Sequence, residues 1–235
     1  TPEPGSTEAI AAATTEPRFL SPWVASVPSH PTVPSPTKHL GHIAGAPGEL
    51  SDTTKIYSYY RALAAATPRV RVETVGRSDE GRELVVVWVS SDANMATIDA
   101  NRRNLARIAD PRGQTEAEIA QLIRTTKPHY HFMGGLHSGE TGPSEMLMEL
   151  VYRLATETSP VISQIRNNLY VSVTPVADAD GRDRNVDWFY QNLELGLTNP
   201  PRTPPRDSAR DSTRAAPAPN RNVPGVPYWG RYAYH

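Results

Sequence analysis

Proline placement constrains this chain more than any other feature of its sequence. Of 23 prolines in 235 residues, nine fall within residues 1–47 and eight within residues 200–227, leaving six for everything between. Proline removes a backbone donor and fixes φ, so dense proline without apolar periodicity argues against long helices or central strands. The core is therefore expected from about residues 50–195. Residues 1–47 are expected to form a Pro-rich extension with little regular structure, 48–195 an α/β domain, and 196–235 a Pro/Arg-rich loop with an incomplete continuation of that domain.

Inside the central region the pattern alternates between helical and strand-like. Ile56, Tyr59, Tyr60 and Leu63 share one helical face over Thr53 to Ala66, with Ser51 or Asp52 as cap and Pro68 as terminator. Val70, Val72 and Val75 suggest a strand, Gly76 to Arg82 a polar hairpin loop, and Leu84 to Val89 a strand apolar on both faces, hence buried. Helices are expected around Ile98, Leu105 and Ile108, and after Thr115, which with Glu118 forms a capping box. A strand over His129–Met133 runs into Gly134-Gly135-Leu136-His137-Ser138-Gly139-Glu140. The helix that follows holds Pro143 in its first turn and Met146, Leu147, Leu150, Val151 and Leu154 on its buried face. Ser159-Pro160 opens a short helix, and Leu169 to Val176 is a further strand. Such alternation predicts a mixed, largely parallel sheet with helices on both faces.

Composition narrows the function classes. A net charge of −1 supplies no field to recruit nucleic acid or an anionic membrane. The arginines from Arg202 to Arg221 lack aromatic stacking partners, so they read as a solvated loop. No apolar run is long enough to span a bilayer. With no cysteine, any metal must be held by His, Asp or Glu. The opening run rich in Ala, Thr, Pro and Glu reads as the start of an exported chain, secreted or periplasmic.

His137 and Glu140 lie where a strand ends and a helix begins, the place at which open α/β sheets bind ligands. A histidine and a carboxylate three residues apart converge on one ion when the backbone curls into a turn, and both donor types suit Zn²⁺. A four-residue His-x-x-Glu is otherwise a weak pattern, readable as a surface turn whose Glu140 favours the following helix dipole. His129 and His131 share one strand face and read as packed or hydrogen-bonded sheet residues. Arg77 and Arg82 read as hairpin braces. Asp178, Asp180 and Asp183 lack the Gly and Glu positions of an EF-hand and read as a turn.

Gly134 to Glu140 resembles the zinc-binding loop of carboxypeptidase A-like zinc carboxypeptidases. Val75 to Arg82 is similar to that family's early Gly-x-Ser-x-Glu-Gly-Arg hairpin. Val173-Thr174-Pro175 with Asp180-Gly181-Arg182-Asp183 resembles its later strand and Asp-Gly turn. The three blocks stand in family order over about residues 53–190. The resemblance implies a zinc metallocarboxypeptidase that removes a C-terminal residue from a peptide, with His137 and Glu140 as two metal ligands. It also implies a third histidine and a general-base glutamate beyond His235, so the chain resembles the amino-terminal half of the enzyme; His235 itself is the weaker candidate for third ligand. An arginine that should follow the Asp-Gly turn is missing from Phe189-Tyr190-Gln191-Asn192-Leu193. Alternatives are a zinc amidase or deacylase acting on a non-peptide or cell-wall amide, and a non-catalytic peptide-binding module. Since catalytic zinc normally has three protein ligands, the 235-residue chain alone is expected to bind zinc weakly and to leave peptides intact. Assay of this chain beside one extended past His235 checks this, and equal, chelator-sensitive activity in the shorter form would contradict it.

Overall fold

The computed structural model describes residues 1–194. The central elements run in chain order after two N-terminal helices, α1 (Ser6–Ala13) and α2 (Pro36–Leu40). They are α3 (Thr53–Ala66), β1 (Val70–Arg77), β2 (Glu83–Val89), α4 (Asp92–Met95), α5 (Ile98–Ala109) and α6 (Glu116–Thr125), then β3 (His129–Met133), α7 (Thr141–Thr156), α8 (Pro160–Asn168), β4 (Tyr170–Thr174) and α9 (Ala179–Glu194). The four strands form one mixed sheet in the order β1-β2-β4-β3. β1 and β2 form an antiparallel hairpin, β2 pairs antiparallel with β4, and β3 runs parallel to β4 from His129↔Tyr170 to Met133↔Thr174. The sheet is mixed as expected, but only one of these three pairings is parallel. The hairpin, joined by a short loop, sets the first antiparallel pair.

Strand alternation places the core. Val85, Val87 and Val89 of β2, with Val171 and Val173 of β4, pack against Ile56, Tyr60 and Leu63 of α3 and Leu147, Met148 and Val151 of α7. Trp88 and Tyr170 face the other way, onto Ile98 of α5. This two-sided burial is why β2 carries a continuous apolar run. α3 begins where expected because the Asp52 carboxylate accepts the Lys55 amide at 2.7 Å, and the Thr115–Glu118 capping box is formed. On α7 the buried face is rotated from the expected one. Met146 is exposed, and Met148, Tyr152 and Glu145 are buried instead.

Residues 1–47 hold only short helical stretches, but they dock onto the rest of the fold, which the sequence did not suggest. This stretch contains two helices and contributes Val27 and Val33 to the main core. Proline does not prevent this, because a proline carbonyl still accepts hydrogen bonds. The Tyr152 hydroxyl donates to Pro28 O at 2.7 Å, Arg153 donates to Ser26 O, and Pro36 occupies the first turn of α2 behind the Ser35 cap. The expected Pro/Arg-rich loop, 196–235, and His235 lie outside the described residues.

A second departure is α9, sixteen residues of helix where the sequence suggested only an Asp-Gly turn. Its sequence is polar and has little apolar periodicity. Tertiary partners hold it. Arg182, 1% exposed, meets Glu145 of α7 at 2.6 Å and donates to Ser51 O at 2.8 Å and Thr141 O at 3.0 Å. Glu145 accepts the Ser51 amide at 2.8 Å, while Asp183 accepts the Thr53 amide at 2.8 Å and its hydroxyl at 2.9 Å. Burial pulls the Arg182 pKa down and Glu145 opposes it. Removing one partner of such a pair strands a buried charge. Glu145→Ala is therefore expected to cost about 3–5 kcal/mol in urea unfolding; a loss below about 1 kcal/mol, the value of a surface pair, would show the pair to be dispensable.

Candidate functional site

β3 ends at Met133 and the chain enters the glycine loop still attached to its neighbour. Gly134 N donates to Thr174 O at 2.8 Å, Ala177 N to Gly134 O at 2.9 Å, and Asp178 N to Gly135 O at 3.0 Å. The parallel ladder thus continues two residues past the strands and fixes where the loop departs. Gly134 leaves no room for a side chain, since an added Cβ would lie 2.8 Å from Leu147 Cδ1 and 3.0 Å from Pro175 O. Gly135 has φ +59°, in the left-handed region that favours glycine.

Residues 137–140 then close a turn, with Glu140 N donating to His137 O at 2.9 Å. The Glu140 side chain folds back over this turn. Its Oε1 lies 3.1 Å from His137 Nδ1, and its Oε2 accepts the His137 amide at 3.4 Å. Both side chains are about half exposed at the carboxyl end of β3, and α7 starts at the next residue. The hydrogen bonds from the His137 side chain and backbone hold the Glu140 carboxyl below its usual pKa range. Tetrahedral donors at roughly 2.0–2.2 Å from one ion stand about 3.3–3.6 Å apart. The 3.1 Å between His137 Nδ1 and Glu140 Oε1 is close to that separation.

Among the described residues no group of three His, Asp, Glu or Cys side chains converges as a metal site. His129 Nε2 and His131 Nδ1 each lie 2.7 Å from Ser172 Oγ, and His131 Nε2 lies 3.2 Å from Thr174 Oγ1. They are hydrogen-bonded sheet residues, and partial burial, with His131 and Arg102 nearby, lowers the His129 pKa. The acidic trio also has other work. Asp178 Oδ1 accepts the Gly181 amide at 2.9 Å at the start of α9, while Asp180 and Asp183 meet Arg82 at 2.7 and 2.6 Å. Arg82 thus braces the hairpin against α9, and Arg77 donates to Gly81 O at 2.8 Å within the hairpin.

The zinc carboxypeptidase family model matches residues 56–221. The chain belongs to that family. A comparison with curated proteins finds no match. Several solved structures are similar to this chain over part of their length. Carboxypeptidase A from Helicoverpa armigera is 18% identical, with 76% of this chain and 31% of that one covered and a TM-score of 0.45. A metallo-carboxypeptidase from Burkholderia cenocepacia is 16% identical, with 57% and 28% covered and a TM-score of 0.39. Bovine thrombin-activatable fibrinolysis inhibitor, solved with a tick carboxypeptidase inhibitor, is 15% identical, with 59% and 34% covered and a TM-score of 0.37. The chain therefore spans about a third of the length of these structures.

Sequence reasoning missed Glu145 and Arg182, which anchor the start of α7 beside the loop. The available signal was a carboxylate, Glu145, directly before the run Met146-Leu147-Met148 and at helical spacing from Met148 and Tyr152. Because the folded Glu140 pKa is lowered, the stability it contributes is present above the usual carboxylate range and lost as pH falls through the lowered value. Carboxyl NMR of the metal-free protein should show Glu140 titrating below the roughly 4.3 of a free glutamate. A midpoint at or above that value would mean that the turn is not closed in solution.

Proposed function

We propose that the chain carries the first part of a zinc-dependent carboxypeptidase site, in which His137 and Glu140 hold the metal and a peptide is the substrate. The observation that carries this reading is the 3.1 Å approach of His137 Nδ1 to Glu140 Oε1 at the end of β3, in a chain of this family. Bound zinc would supply an acidified water and polarise the scissile carbonyl. The protein's own part begins with the turn at 137–140, which brings one imidazole nitrogen and one carboxylate oxygen to the same point. The ladder from Gly134 and Gly135 to the β4–α9 loop holds that turn against the sheet. The exposure of both side chains leaves the site open to a chain end arriving from solvent.

A third ligand and the group that moves the proton are assigned to residues other than 1–194. A general base of this kind typically contributes about 10²–10⁴-fold in rate. Secretion or a periplasmic location fits hydrolysis of external peptides, and cell fractionation tests it. In the natural full-length protein, one zinc ion per chain should bind. His137→Ala and Glu140→Gln should each weaken zinc binding by more than the roughly 10–100-fold that follows loss of an outer-shell partner. Calorimetric titration measures this. Release of the last residue should occur from a peptide with a free carboxyl terminus and not from its amidated form. Zinc uptake unchanged in His137→Ala would overturn the metal assignment, and equal cleavage of the amidated peptide would move the protein to the amidase class.

A further inference from the structure

We propose that Gly181, on α9, is a positioning residue for the His137–Glu140 turn, an inference that rests on reading that pair as the metal holder. Gly181 is helical, and its φ is not in the left-handed region. Alanine is the better helix former at such a position, so local conformation does not explain the glycine. Space does. A Cβ built on Gly181 would lie 2.6 Å from Ser138 Cβ, and closer still to Asp178 Oδ2.

The two obstacles differ in kind. The Asp178 carboxylate is the end of a rotatable side chain and can swing aside, at the cost of its bond to the Gly181 amide. Ser138 Cβ is one bond from the backbone between His137 and Glu140, so it moves only if the turn moves. The bare surface of α9 at Gly181 therefore sets how deep the turn sits. Depth matters because His137 and Glu140 flank Ser138 and project their donors from the same turn. The hairpin adds a second tie to the start of α9, since Arg82 and Ser78 both bind Asp180 beside Gly181.

The test compares Gly181→Ala, Ser138→Gly and the double variant with the natural sequence, using the full chain. Hydrogen exchange at the Glu140 amide reads closure of the turn through its bond to His137 O. Gly181→Ala should speed that exchange by about tenfold or more, while the Leu147 and Val151 amides inside α7 keep their protection, as expected of a local opening. Zinc affinity should fall in Gly181→Ala. The double variant should return to the values of Ser138→Gly, because the clashing Cβ is gone. An unchanged Glu140 rate, a rise shared equally by α3 and α7, or no recovery in the double variant would each overturn the proposal. If Gly181→Ala does not fold, recovered folding in the double variant supports the same contact, and failure of both overturns it. Absence of zinc uptake by the natural sequence would instead overturn the metal reading, leaving the exchange comparison to decide what Gly181 does.

Discussion

The contact on which the arrangement depends is the buried ion pair between Arg182 and Glu145. Two charges out of water are stabilising only when their remaining hydrogen-bonding positions are also satisfied. Here Arg182 gives its other donors to the carbonyls of Ser51 and Thr141, and Glu145 accepts from the Ser51 amide and hydroxyl. Three separate stretches meet at that point. They are the lead-in to α3, the first turn of α7 and the first turns of α9. α7 follows directly on the loop bearing His137 and Glu140, and α9 packs against it at Ser138, so the polar contacts that join α7 to α9 help to set the frame in which the loop sits.

What the sequence made legible was whatever local chemistry decides. The α3 limits follow from Asp52 and Pro68, the β2 burial from an uninterrupted apolar run, and the α6 start from Thr115 and Glu118. The 3.1 Å spacing of His137 and Glu140 is also local, since a four-residue turn brings its first and last side chains together. What stayed hidden depends on residues far apart in the chain. α9 has polar composition, and distant partners such as Glu145, Ser51, Thr53 and Arg82 hold it as a helix in this place. Met146 lies on the expected apolar stripe of α7 yet faces outward, because Glu145 and Tyr152 rotate the buried face toward Arg182 and Pro28. The docking of the N-terminal stretch stayed hidden because proline density measures lost donors, whereas docking here uses proline and serine carbonyls as acceptors.

Strand polarity follows the same division. The β1–β2 hairpin declares itself through a short polar loop, which forces an antiparallel pair. The β3–β4 pairing is parallel because α7 and α8 intervene and return the chain to the same end of the sheet. β4 thus pairs in opposite senses on its two sides. Its carboxyl end lies beside that of β3, and the turn and the start of α9 emerge there together. Proximity of Ser138 and Gly181 is a product of that topology.

The docking of the first 47 residues bears on the order in which the chain can fold. Tyr152 reaches Pro28 across 124 positions and Arg153 reaches Ser26 across 127. Closing loops of that size costs entropy before any contact rewards it. The donors that hold the segment also sit on α7, and they are in place only once that helix has formed. A segment that precedes α7 in the chain is therefore among the last to find its partners, and until then Val27 and Val33 remain uncovered.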